Sequence, residues 1–447
     1  MNADALHHAQ DLARRGEDEA ARAAYLDILR ADPTHFSALT DLGALLVASG
    51  HRKAARRVYA QAVAVNPGNP TGQTNLGHLL YQEDEPDAAE ACYRAALAAD
   101  PEFAPAHQGL ARILSDRGEN AEIHFAKGFA NPVTSRPCRG ADGPRVLLLV
   151  SAKLGNVATR LWIDDKTFAI TEIFAEFFDP AADLPPHRLI VNAIGDADLC
   201  ARDLDKAEQI ARKSTAPVIN APEKVRMTGR ADSARRLAAI PGLRAPRTEF
   251  LRRGDISADR AFPVLLRAPG FHTGLHFRRV ESAADLRQNL AALPGERLFA
   301  IEWLDARGAD GCFRKYRAIF VDGEVFPLHL AISRDWKVHY FTAAMAENPA
   351  LRDEERRFLD DMPGALGAKA MGALDRLAAE VGLDFFGVDF GLSPEGELLL
   401  FEANATMNVF FPDADPIWDY RRPAVAAILM AARRTALSRA TPEALCL

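Results

Sequence analysis

Apolar positions along this chain follow three patterns, and each predicts a different kind of element. Up to about residue 127 the segments are helical in pattern, beginning with the polar stretch MNADALHHAQDLARRGEDEAARAAY. From 145 onward, short unbroken apolar runs appear: RVLLLVSA (145–152), RLIVNAIGD (188–196) and APVINAP (216–222). They read as buried strands with helical stretches between them, and that alternation predicts a small parallel α/β domain. After about Val225 a helix, ADSARRLAAI, precedes a series of strands: FPVLLRAP, RLFAIEWLD (297–305), KYRAIFVDG with its Asp-Gly turn, and EVFPLHLAI (324–332). The series ends in FFGVDFGLSPEGELLLFEAN (385–404), where the apolar runs FFGVDF and ELLLFEA flank the turn residues Gly391, Pro394 and Gly396 and predict a β-hairpin.

The helical region repeats itself. Pro33, Pro67 and Pro101 are 34 residues apart, and the same register relates Tyr25, Tyr59 and Tyr93, Ala21, Ala55 and Ala89, and Leu42-Gly43 with Leu76-Gly77. The pattern resembles the tetratricopeptide repeat, with Ala62 and Ala96 at another small position. Leu39, Leu46, Gln73 and Leu80 occupy positions that are usually aromatic, and His8-Ala9 stands for Leu-Gly in the first repeat. The array spans 1–127 as repeats 2–35, 36–69 and 70–103, with a truncated pair, 104–127, as a cap. The resemblance implies a solenoid that presents a surface to a peptide or partner protein; self-association as a homo-oligomer, or packing against the next domain, is the other use of such an array. KGFANPVTSRPCRGADGPR (127–145) lacks periodicity and is rich in Gly and Pro, which predicts a linker over 128–144.

Candidate chemistry concentrates on the hairpin. Side chains alternate along a strand, so Glu402 and Asn404 share a face and Asp389 can come opposite them. Carboxylates within apolar runs are costly unless paired or metal-bound. Two carboxylates and an amide form an incomplete shell of hard oxygens, the kind Mg²⁺ takes when substrate phosphates complete it. Upstream, the loop GFHTGLHFRRV offers Gly270 and Gly274 for close backbone approach to a phosphate and Thr273 as a donor, with Arg267 at the preceding strand end. Gly155 and Asn156 follow the first parallel strand, where either a ligand site or a structural turn is expected.

The succession of elements over about 145–435 resembles the ATP-grasp superfamily, which includes glutathione synthetases and enzymes that add glutamate to protein termini. The fold it implies is a tetratricopeptide solenoid followed by a pre-ATP-grasp α/β domain (145–224) and an α+β ATP-grasp domain (225–447). By position, Glu302, Trp303 and Leu304 would line the adenine pocket and Asp310 would reach the ribose. Arg317 matches the basic residue that faces the transferred phosphate, and Asp389, Glu402 and Asn404 match the magnesium ligands. Arg267 and Arg230 stand where the family has lysines, so positive charge is kept while phosphate geometry changes. Trp303 as core and Arg317 as a sheet ion pair are the alternatives. The resemblance implies ATP and Mg²⁺ as cofactors and a carboxylate and an amine as substrates, joined through an acyl phosphate by a ligase. The competing expectation is a repeat scaffold whose nucleotide domain senses or is inactive.

Two further stretches belong with the site. HLAISRDWKVHYF (329–341), with His329, Arg334, Trp336, Lys337, His339 and Tyr340, reads as a loop that folds over triphosphate or acceptor. FFPDADPIWDYRRP (410–423) would shape the acceptor pocket, where Arg421 and Arg422 either hold a carboxylate or form surface charge pairs.

Composition adds bounds. A chain of 447 residues predicts about three domains at the usual ~100–200 residues each, and 48% hydrophobic with 26% charged residues is ordinary globular composition. A formal charge of −7 gives no general attraction to nucleic acid or anionic membrane, so neither is an expected partner. The five cysteines form no CxxC pair, which argues against a disulfide framework or zinc site and fits a reducing cytoplasm. No run approaches the ~18 apolar residues of a membrane span, and the first residues lack the apolar core of a signal peptide.

Overall fold

The structure, a computed structural model of the chain, describes residues 2–139, 142–153, 155–271, 274–338, 343–413 and 415–441. The chain divides into two compact units, Met1–Pro132 and Val133–Leu447.

The first unit is a series of helix pairs: α1 (Asn2–Arg14) with α2 (Asp18–Ala31), α3 (Phe36–Ala48) with α4 (Arg52–Val65), α5 (Pro70–Gln82) with α6 (Pro86–Ala99), and α7 (Ala104–Asp116) with the short α8 (Glu122–Gly128). The 34-residue register has a packing cause. Ala21, Ala55, Ala89, Ala62 and Ala96 are fully buried where helices approach closely, and Tyr25, Tyr59 and Tyr93 fill the space between pairs. The repeat glycines make room for those rings: a Cβ on Gly43 would overlap the ring of Tyr59, and one on Gly77 would lie 2.8 Å from Tyr93. The prolines fall just past helix ends, after Asp32, Asn66 and Asp100, where no further helical N–H is needed.

The second unit is built on three sheets. The first has β1 (Val133–Arg136) at one edge in the strand order β1-β3-β2-β4-β5, with β2 (Arg145–Val150), β3 (Ala169–Phe174), β4 (Leu189–Asn192) and β5 (Val218–Ile219) parallel. Strands β2 and β4 are buried, as the unbroken apolar runs predict; α9 (Ala201–Ala211) connects β4 to β5, and α10 (Pro222–Arg226) follows β5. The second sheet is antiparallel, β7 (Thr248–Arg252), β10 (Arg297–Glu302), β8 (Val264–Arg267) and β9 (Phe277–Val280) in spatial order, with α12 (Ala283–Ala291) beside β9. The third runs β12 (Glu324–Ser333), β11 (Phe313–Val321), β13 (Phe385–Leu392), β14 (Leu398–Asn404), with the short β6 (Leu243–Arg244) parallel at its edge. Helices α13 (Pro349–Asp360), α14 (Met362–Val381) and α15 (Arg422–Ala440) pack on it, and α11 (Arg230–Leu237) lies against β7 and β14. The β11–β12 turn uses Asp322 (φ 52°) and Gly323 (φ 86°), the left-handed pair that a tight hairpin requires.

Two expected boundaries differ from this architecture. Strand β1 (Val133–Arg136) lies inside the stretch expected as a linker and pairs antiparallel with β3. Its Ser135 hydroxyl meets Thr171 at 3.1 Å across that pair. The expected division at 224/225 is also not one between separate compact units, because first and third sheets share a core in which Leu147 and Ile190 cluster with Phe320 and Leu374. Asn220, held at φ 56°, staples them: its amide donates to Phe385 O at 2.6 Å and accepts from Phe385 N at 2.8 Å. A chain starting at Val133 is therefore expected to melt cooperatively by itself, and one starting at Arg145 to melt a few degrees lower because it leaves the β3 edge unpaired. Equal melting temperatures would show that β1 contributes nothing.

Candidate functional site

The third sheet sets four polar residues in one row. Register pairs His329 on β12 with Arg317 on β11, Arg317 with Asp389 on β13, and Asp389 with Glu402 on β14. An irregularity after Asp389 lets Phe390 pair with Leu400, so Phe401 has no direct partner while Glu402 stays opposite Asp389. Asn404 lies two residues on, opposite Gly387. The hairpin thus brings together the three residues expected from alternation.

Their oxygens are engaged by cations and donors. Arg317 holds Asp389 bidentately, Nε to Oδ1 at 2.6 Å and Nη2 to Oδ2 at 2.7 Å, and Lys315 Nζ lies 3.3 Å from the same carboxylate. Burial pushes the Asp389 carboxyl up, but Arg317 and Lys315 outweigh it and hold the group well below the usual carboxylate range. Arg230 Nη2 donates to Glu402 Oε1 at 2.5 Å, and Asn404 Nδ2 donates to the same oxygen at 2.7 Å. Burial likewise raises the Glu402 carboxyl, yet Arg230 and Arg267 bring its net shift downward. Asn404 Oδ1 accepts from Thr406 N at 3.0 Å and from its hydroxyl at 2.9 Å. His329, 8% exposed, is held neutral by burial and by the nearby Arg317 charge.

Above the hairpin lies a cleft lined by Arg230, Arg267, Phe299, Ile301, Glu402 and Asn404, together with Asp196 and Asp198 from the loop after β4. Arg267, at the end of β8, donates to Phe271 O at 2.7 Å. Burial, then the like charge of Arg230, lowers its affinity for a proton. The cleft measures about 70 Å³, short of the ~300–1,000 Å³ of small-molecule pockets, so a nucleotide could enter only if the walls part.

Gly270 of the expected glycine loop also lines this cleft, whereas Glu302, Trp303, Leu304 and Asp310 are not among its lining residues. Glu302 ends β10 with its carboxylate taken by Arg244 at 2.7 Å and by Arg247 N at 3.0 Å. Trp303 lies under the Arg279 guanidinium at 4.1 Å and edge-on to Phe313 and Trp336, and Leu304 is buried with Ala306 and Leu399. Asp310 is bound by Arg314 at 2.9 and 3.0 Å, which holds its carboxyl far down. Gly274 (φ 74°) meets the Lys337 side chain, so the segment after β12 reaches the glycine loop. Thr273, His339 and Tyr340 lie outside the described residues. Asn156 closes a turn on Ser151, donating to its O at 2.7 Å and accepting from its N at 2.8 Å. Arg421 takes neither expected role: it is buried on Glu355, whereas Arg422 pairs with Asp419 at 2.8 Å.

Sequence reasoning missed Lys315, which lies two residues before Arg317 on the same strand face and was recoverable from period two. His329 falls in both the expected strand 324–332 and the expected loop 329–341; it is a buried residue of that strand, and only the β11–β12 register puts it in the row. Phe299 and Ile301, which line the cleft, were passed over for the residues just after them.

As a magnesium site the donor set fits in kind, since Asp389, Glu402 and Asn404 supply hard oxygens. Loading would require Arg317 and Arg230 to release the two carboxylates. Among the described residues no group of three or more His, Cys, Asp or Glu is placed to hold a metal, and no helix is long and apolar enough to cross a membrane.

Comparison with curated proteins gave no match. Similar solved structures include a MamA RS-1 double mutant (24% identical, covering 29% of this chain and 74% of that one, TM-score 0.27). MamA from residue 41 onward of Desulfovibrio magneticus RS-1 (23%, 29% and 75%, TM-score 0.27) is another. A tetratricopeptide repeat protein from Parabacteroides merdae (21%, 28% and 51%, TM-score 0.27) is a third, and TM-scores this low carry no argument about this chain. Residues 46–113 match the family model of the tetratricopeptide repeat, and with the paired helices of the first unit this makes the N-terminal array one of tetratricopeptide repeats.

Proposed function

We propose that the 133–447 unit is an ATP-dependent carboxylate–amine ligase of the ATP-grasp kind, and that the repeats recruit its peptide or protein substrate. The observation that supports this most is the row His329, Arg317, Asp389, Glu402, which leads across four strands to a cleft walled by Arg230 and Arg267. Four cations, Arg230, Arg267, Arg317 and Lys315, converge on the two carboxylates of that row. Among the described residues, Arg230 and Arg267, beside Asp196 and Asp198 in the cleft wall, are the two cationic contacts the cleft offers a polyphosphate.

In this reading Arg230 and Arg267 bind the phosphates and offset charge that spreads over the transferring oxygens. The carboxylate substrate attacks the γ-phosphorus and ADP leaves; the amine then attacks the acyl carbon of the acyl phosphate, the acyl C–O bond breaks, and inorganic phosphate leaves as the nitrogen gives up a proton. Arg317, once released from Asp389, faces the acyl carbon and stabilises its oxyanion. Asp389, Glu402 and Asn404 would hold Mg²⁺, which supplies further neutralisation of phosphate charge. The glycine loop and the Trp336–Lys337 segment, which already meet at Gly274, exclude water from the acyl phosphate.

A second reading, a repeat scaffold with a nucleotide-sensing or inactive domain, is favoured by one observation. Guanidinium groups already hold Asp389 and Glu402, the carboxylates a metal would need. Incubation with ATP, Mg²⁺ and a panel of carboxylates, amino acids and peptides separates the two. The ligase forms ADP and an amide in equal amounts, and the Asp389→Asn/Glu402→Gln double variant, still folded, loses at least ~100-fold of that rate. AMP in place of ADP, or full activity in the double variant, contradicts the reading.

A further inference from the structure

The parallel sheet has a second groove at the other end of its strands. The cleft receives Gly195–Asp198, which follow β4, whereas this groove is formed by the loop before β4 and the turn before β5. It measures about 410 Å³, within the ~300–1,000 Å³ of small-molecule pockets. Its walls are mixed, with Leu184, Pro185 and Pro186 beside Arg188 and Arg439, and His187 and Ser214 face each other in it.

The hydrogen bonds of this pair fix their own polarity. His187 Nδ1 lies 2.7 Å from Pro185 O. A carbonyl can only accept, so in the neutral ring Nδ1 carries the hydrogen and Nε2 keeps its lone pair. Ser214 Oγ is 2.7 Å from Nε2, and its hydroxyl must therefore donate to that lone pair. Ala216 N–H donates to the same Oγ at 3.0 Å, a placement that also stabilises negative charge as it develops on the oxygen. A nucleophile, a base within reach and a third group that orients the base are the parts of an activated serine. Here the third group is a carbonyl, which fixes the tautomer without adding charge.

We propose that Ser214 is an acyl-accepting nucleophile, with His187 as its general base, for activated carboxylic esters with small acyl groups. Ser214 Oγ attacks the ester carbonyl carbon while its proton passes to His187 Nε2. The ester C–O bond then breaks, and the leaving alcohol takes that proton, which leaves the acyl group on Ser214. The serine ester formed is a poorer electrophile than the activated ester, so its release by water is slow and a single acylation accumulates.

The test uses the full chain and p-nitrophenyl acetate, without nucleotide, so it is independent of the ligase reading. The expected result is a burst of p-nitrophenolate matched by one acetyl group on the peptide that carries Ser214. Ser214→Ala removes that modification, and His187→Gln slows it by roughly 100-fold or more, the share a positioned general base supplies. Native protein acetylated on lysines but not on Ser214 would overturn the proposal. So would acylation of folded His187→Gln at the native rate, which would make the hydrogen bond a staple between loop and turn. The native result decides the matter even if a variant fails to fold.

Discussion

Replacing Arg421 with leucine is expected to destabilise the 133–447 unit by about 3–5 kcal/mol, the usual loss when one member of a buried ion pair is removed. Arg421 is 3% exposed and Glu355 is fully buried. The Arg421 guanidinium donates to Glu355 Oε2 at 2.5 Å, Tyr420 donates to the same oxygen, and Leu330 N donates to Oε1 at 3.2 Å. Removal of the arginine leaves a carboxylate without a cation in the core. Burial pushes the Glu355 carboxyl up to about 8, against the Tyr420 hydrogen bond. The unfolded chain ionises this group near ~4.3, and loss of the Arg421 charge can only raise the buried carboxyl further, so the variant should lose stability as pH rises above that value. Urea melts at about pH 5 and about pH 8 check both the size and the sign. A loss below ~1 kcal/mol would show that the pair contributes no more than an exposed one.

The second large effect concerns the cleft. Arg267→Ala should weaken ATP binding by about ten- to a hundred-fold, since a hydrogen bond to a charged group contributes roughly 1.5–3 kcal/mol. Adenosine, which lacks phosphates, should bind the variant as it binds the native protein. Arg267 also ties down Phe271 O, so an equal loss for both ligands would make its role structural. Competition binding with the two ligands distinguishes these outcomes.

Much of the fold was legible because its signals are local. The 34-residue register of Tyr25, Tyr59 and Tyr93 reports rings that need small neighbours, a requirement satisfied within adjacent helices. Runs such as VLLLV reveal strands buried on both faces. Alternation puts Glu402 and Asn404 on one strand face, but Asp389 comes opposite Glu402 only through the irregularity after Asp389, without which the hairpin register would set it opposite Phe401. What stayed hidden depends on pairing between distant segments. His329 joins the row only through the shift between Arg317 and Ala318. Asn220 unites two sheets through bonds to Phe385, 165 residues away. Glu355 meets Arg421 across 66 residues, and a helix surface of mixed charge gives no sign of which acid will be buried. Nor does composition reveal that Arg317 and Arg230 already occupy the carboxylates a metal would take.

The most direct test of the central claim is calorimetric titration of the full chain with ATP in the presence and absence of Mg²⁺. The account predicts saturable one-to-one binding that magnesium tightens, with the magnesium effect lost in folded Asp389→Asn/Glu402→Gln. No ATP binding by the native protein in either condition, or the same magnesium effect in the double variant, would contradict it.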